Sequence, residues 1–111
     1  MNKDRLKIYI MFDGRCAYCG DKLKSNFHID HVNPKYKGGI NSKENLYPAC
    51  PRCNIRKSVF TIEQFRHEIS EQVNRLRRNS NQFRLAESFN QIYVTNYPVV
   101  FWFEKYNEGN F

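Results

Sequence analysis

The chain has 111 residues and carries 18 Lys and Arg against 11 Asp and Glu, a formal net charge of +7. That length suits one domain and buries only about two-thirds of the unfolded surface, so a staple is expected. The basic balance favours a polyanionic partner, with nucleic acid ahead of an anionic membrane surface because the basic residues are dispersed rather than gathered beside a long apolar face. No apolar run approaches the roughly 18 residues of a membrane span, and the opening residues lack a signal-peptide cleavage pattern, so a cytoplasmic location without a membrane partner is expected.

In chain order, residues 3–12, KDRLKIYIMF, form a short apolar segment whose periodicity fits a helix or a strand equally. Residues 16–19, CAYC, lead into a bend and then a strand over 27–31, FHIDH. The stretch VNPKYKGGINSKE reads as a loop by its Pro, Gly, Asn and Lys content, and Lys35 and Lys37 fit equally a contact with a phosphate backbone and a solvated connection. NLYPA reads as a second strand, and CPRCNIRKS turns into a helix start. Ile62, Phe65, Ile69, Val73 and Leu76 then recur at steps of three and four, the face of one amphipathic helix capped by Thr61 and Gln64. Its arginines read as a solvated face. FRLAESF reads as a further short helix, and IYVTNYPVVFWFEKY, β-branched and aromatic but split by Pro98, as two strands. The expected organisation is a core over 1–60 with an extension over 61–111 packed on it as one compact domain.

Cys16, Cys19, Cys50 and Cys53 form two C-x-x-C pairs with thirty residues between them. Two thiolates from one tight turn reach the same tetrahedral ion, and two such turns close a four-cysteine zinc shell. Four thiolates saturate tetrahedral zinc, which leaves Asp30 and His31 for other work. A carboxylate is a hard ligand for a magnesium-like ion, and a neutral imidazole takes a proton near neutral pH. In an ideal strand adjacent side chains face opposite ways, so the two share one site only if the strand bends or ends there. His28 reads as a bystander, and His67, on the amphipathic helix, as unrelated to the site.

The order C-x-x-C, IDHVNP followed by GG, then ENLYPACPRCNIRK resembles the zinc-stapled HNH endonucleases of the ββα-metal class, over roughly residues 10–60. The resemblance implies an α+β fold in which a ββα-metal motif is stapled by the cysteine site, with the amphipathic helix and a β-rich C-terminal extension beyond it. It implies a metal-dependent nuclease that cleaves DNA and leaves 5′-phosphate and 3′-hydroxyl ends. His31 would activate water, Asp30 and Asn54 would hold Mg2+ or Mn2+, and Asn45 would tie the inter-strand loop. Arg56 and Lys57, near Asn54, would grip a neighbouring phosphate, and Ser58 falls where some relatives place another ligand. The aromatic tail offers a contact for a homodimer, and the likeness beyond residue 60 to small phage and prophage proteins of this type allows a phage packaging partner. The alternatives are a zinc-held binding module that does not cleave, and a nuclease acting on RNA or only within a larger complex.

Overall fold

The computed structural model describes residues 2–107. The chain forms two compact units, one running to Phe65 and resuming at Val100, the other Arg66–Val99. The segment from Val100 therefore belongs with the first unit, rather than with one extension over 61–111.

The first unit opens on helix α1, Lys3–Met11. The Asn2 side chain caps it by accepting from the Arg5 N–H at 2.8 Å, and Asp4 in the first turn favours the positive helix end. Ile8 and Phe12, four residues apart, turn one face into the core, where Ile29, Leu46 and Tyr47 pack against them. Strands β1, His28–His31, and β2, Leu46–Ala49, pair antiparallel, with His28 opposite Ala49 and Asp30 opposite Tyr47. Helix α2, Pro51–Lys57, follows directly. Cys50 caps it and Pro51 occupies its first turn, where a missing N–H costs nothing. These three elements form the expected ββα arrangement.

Between the strands the loop holds two short 3₁₀ turns, Lys35–Lys37 and Lys43–Asn45. Gly38 adopts φ 88°, and a Cβ on Gly39 would lie 1.8 Å from the Asn33 carbonyl oxygen. The glycine pair thus folds the loop back on itself, a closeness that no side chain at position 39 permits.

Helix α3, Ile62–Ser70, starts at the expected capping box: the Gln64 side chain accepts from the Thr61 N–H and Thr61 Oγ1 from the Gln64 N–H. The long helix expected beyond it is two, because α4 is Gln72–Asn79 with a break at Glu71. At that break Ser70 Oγ donates to the His67 carbonyl at 2.7 Å, competing with the backbone for the same acceptor. Helix α5, Asn81–Ser88, is capped by Ser80. Within this second unit the arginines are largely engaged: Arg75 pairs with Glu68, Arg77 with Glu87, and Arg84 donates to the Arg77 and Arg78 carbonyls.

The two strands expected near the C-terminus are absent. Residues 92–100 pair with no strand, and Trp102–Asn107 is helix α6. The backbone N–H groups of Trp102 and Phe103 donate to the carbonyls of Tyr18 and Ala17, so they anchor to the first cysteine turn instead of to a sister strand. The aromatic content that suggested strands serves burial: Tyr18, Phe65, Phe101 and Phe103 form one cluster, with Phe65 stacked on Phe101 at 5.2 Å. Among the described residues no helix is long and apolar enough to cross a membrane.

Candidate metal and active site

The two cysteine turns converge. Cys16 and Cys19 lie on the turn closed by Gly20 N–H to Cys16 O, and the Ala17 N–H to Pro48 O bond joins it to β2. Cys50 and Cys53 open α2 on the other side. The four Sγ atoms all lie within 4.8 Å of one another, and Cys19 Sγ is 3.9 Å from Cys50 Sγ. A tetrahedron with 2.3 Å metal–sulfur bonds has edges of about 3.8 Å, so the cluster fits one metal ion, and no disulfide competes. So many thiols at this range cannot share charge evenly. Hydrogen bonds from Cys19 and Cys53 hold Cys16 as the thiolate, its pKa lowered to about 3, while the Cys53 thiol is pushed up by the same sharing and by burial. A divalent cation removes that conflict. The Arg52 guanidinium pairs with Asp21 at 3.3 Å, and the sulfur of the neighbouring Cys19 raises its pKa.

Asp30 sits on the inward face of β1 at 7 % exposure, and His31, half-buried, is the last residue of the strand. The backbone bond from Val32 N–H to Asn45 O continues past the strand end, and the chain then turns at Pro34. Both residues line a groove of about 250 Å³ together with Ile29, Pro34, Lys35, Ser58 and Val59. The end of the strand thus resolves the alternation problem posed by adjacent residues.

The two oxygens of Asp30 are treated differently. Tyr18 Oη donates to Oδ2, and Lys57 Nζ pairs with the same atom at 2.9 Å. Oδ1 has no partner among the described residues, yet no buried side-chain oxygen there lacks one, so Oδ1 reaches the surface. Burial, and then the neighbouring carboxylate, push the Tyr18 phenol far above its ordinary range, which keeps it a donor.

Lys57 is a correction to the sequence reading. It is 0 % exposed, and its ammonium also donates to the His31 carbonyl at 3.0 Å, so it serves the strand and does not reach a phosphate outside. Lys35 lines the groove, and Lys37 and Arg56 are exposed. Asn54 lies one turn before Lys57 on the same side of α2, half-buried, with its side-chain amide unspent among the described residues. Ser58 ends α2 with φ 48° and lines the groove.

Asn45 binds the loop through its whole amide. Its Oδ1 accepts from the Asn33 N–H at 2.8 Å, and its Nδ2 donates to the Asn33 and Ile40 carbonyls at 3.0 and 2.9 Å. That closure brings Asn41 back to the strand, where its Oδ1 lies 2.7 Å from His31 Nε2. Sequence reasoning missed both Asn41 and Tyr18. Nothing distinguishes Asn41 in a polar loop, whereas Tyr18, an aromatic residue inside a cysteine turn, was a visible signal. His28 is exposed, and His67 belongs to the second unit.

Comparisons with known proteins point to one family over this segment. Residues 16–60 match the sequence model of the HNH endonuclease family. The SPbeta prophage-derived YoqL of Bacillus subtilis (strain 168), which carries an HNH endonuclease name, is 35% identical over 66 residues, covering 49% of this chain and 27% of that protein. The CRISPR-associated endonuclease Cas9 of Corynebacterium diphtheriae is 44% identical over 45 residues, 39% of this chain and 4% of its own length. The crystal structure of the Type II-C Cas9 enzyme from Actinomyces naeslundii superposes with a TM-score of 0.55 at 23% identity, covering 76% of this chain and 10% of that one, and so supports the fold. The chain thus spans about a quarter of the prophage relative and a few percent of the Cas9 relative. Both cysteine pairs, the Asp-His strand end and Asn54 all lie inside the segment, residues 16–60, that matches the HNH endonuclease model.

Proposed function

We propose that this chain is a cytoplasmic, metal-dependent HNH endonuclease that hydrolyses DNA phosphodiester bonds, with zinc in the cysteine site and Mg2+ or Mn2+ at Asp30 and Asn54. The observation that carries the reading is the strand end, where a carboxylate with one oxygen anchored and one open shares a groove with a histidine. The proposed donor set, the Asp30 carboxylate and the Asn54 amide oxygen, would suit a hard cation. When bound, such an ion neutralises charge on the phosphoryl group and on the departing 3′ oxygen.

His31 supplies the base. An amide oxygen accepts, so the Asn41 contact places the proton of the neutral ring on Nε2 and leaves the lone pair on Nδ1 to take a proton from water. Asn45 keeps the loop that carries Asn41 closed. Lys35, Lys37 and Arg56 offer exposed cations to the phosphates on either side.

Purified protein incubated with supercoiled plasmid is expected to nick it only with a divalent ion, Mg2+ or Mn2+, and to leave ends that a ligase reseals without prior treatment. A protein that binds the plasmid but leaves it uncut whichever divalent ion is added is instead a binding module, and resistance of the ends to ligation would contradict the proposed products.

A further inference from the structure

Two buried side chains outside the proposed chemistry meet on one atom. Tyr18, 3 % exposed, and Lys57, wholly buried, both aim donors at Asp30 Oδ2. Tyr18 lies inside the first cysteine pair, and Lys57 comes from the helix that the second pair opens, four residues after Cys53. Each metal-binding turn therefore sends one side chain to the same carboxylate oxygen, and Lys57 also holds the carbonyl of His31.

A carboxylate binds a divalent ion through one oxygen or two. Here an ammonium and a phenol already occupy Oδ2, so Oδ1 alone is presented. The ammonium would also place a positive charge near any ion held by Asp30, and like charges repel. The arrangement would lower affinity for the ion while it fixes the orientation of the Asp30 carboxylate. Resting on the reading of Asp30 as the metal ligand, we propose that Tyr18 and Lys57 are positioning residues that make Asp30 a one-oxygen ligand through Oδ1, and so couple the cysteine turns to the catalytic ion.

Lys57→Met and Tyr18→Phe keep the buried shape while each removes one donor. Lys57→Met is expected to bind Mn2+ at least about threefold more tightly, by electron paramagnetic resonance titration of the DNA-free protein, yet to nick plasmid about a hundredfold more slowly at saturating Mn2+. Tyr18→Phe is expected to nick about tenfold more slowly with no weakening of Mn2+ binding and a near-native melting temperature. A merely structural pair gives no such split between affinity and rate. The proposal is overturned if affinity and rate fall together with melting temperature, or if neither moves. Mn2+ binding that Asp30→Asn leaves unchanged would instead remove the underlying reading of Asp30. If the wild-type protein cleaves nothing, the titration decides alone: tighter Mn2+ binding by Lys57→Met supports the positioning role, and equal or weaker binding overturns it.

Discussion

Cys50→Ser, or treatment with a strong zinc chelator, is expected to lower the melting temperature of the first unit by about 15 °C or more, which at this size corresponds to roughly 3 kcal/mol. The physical reason is the small core. Its buried apolar residues are few, and two of them, Cys16 and Cys53, are themselves members of the cysteine cluster. A structural zinc site is worth on the order of 10 kcal/mol of apparent binding energy, comparable to the whole stability of a small domain. Cys50 in addition caps α2, and its Sγ accepts from the Cys53 N–H at 3.5 Å. The damage should reach the groove as well as the staple, because α2 carries Lys57, which holds Asp30 and the His31 carbonyl. Thermal melts followed by circular dichroism, with zinc content measured in parallel, check this. Zinc loss with an unchanged melting temperature would contradict it.

Asp30→Ala is expected to destabilise the fold as well as abolish cleavage, by about 3–5 kcal/mol, because it strands the Lys57 ammonium in the interior without its counter-charge. One partner of a buried ion pair is costly to remove alone, whereas removing both can be close to neutral. The double variant Asp30→Ala with Lys57→Met should therefore recover most of the lost stability while remaining inactive. Urea denaturation of the single and double variants measures the coupling. A single variant as stable as the wild type, or a double variant no better than the single, would show that the pair is not buried as described. The result also separates stability from chemistry at the same residue, since the double variant restores one without the other.

The cysteine cluster was legible because metal ligation constrains spacing. Two C-x-x-C pairs fix four sulfurs around one point, so the staple and the strand–strand–helix between its halves could be read from the cysteines and the Asp-His pair. The capping box at Thr61 and Gln64 was legible for a similar reason, since its two hydrogen bonds are local. Lys57 was misread because a lysine in a basic sequence looks like a surface charge. Only the fold shows that it is buried, between an inward-facing aspartate and a backbone carbonyl. The C-terminal residues were misread because β-branched and aromatic content reports burial as readily as strand, and the segment 99–103 found its partners in the first cysteine turn. The break at Glu71 turns on one serine hydroxyl, a contact too fine for periodicity to register. Asn41 could not be found in advance, since its approach to His31 depends on the loop closure that Gly39 and Asn45 create.

The central claim is that His31 activates water beside an ion held by Asp30, and single-turnover nicking of supercoiled plasmid by wild type and His31→Ala tests it most directly. His31 contributes no side chain to the buried core, so the variant should keep its zinc content, melting temperature and DNA affinity. Loss of a positioned base removes about 10² to 10⁴ in rate, and a fall of roughly that size with binding and zinc intact is the predicted result. Equal nicking by the two proteins would contradict the account.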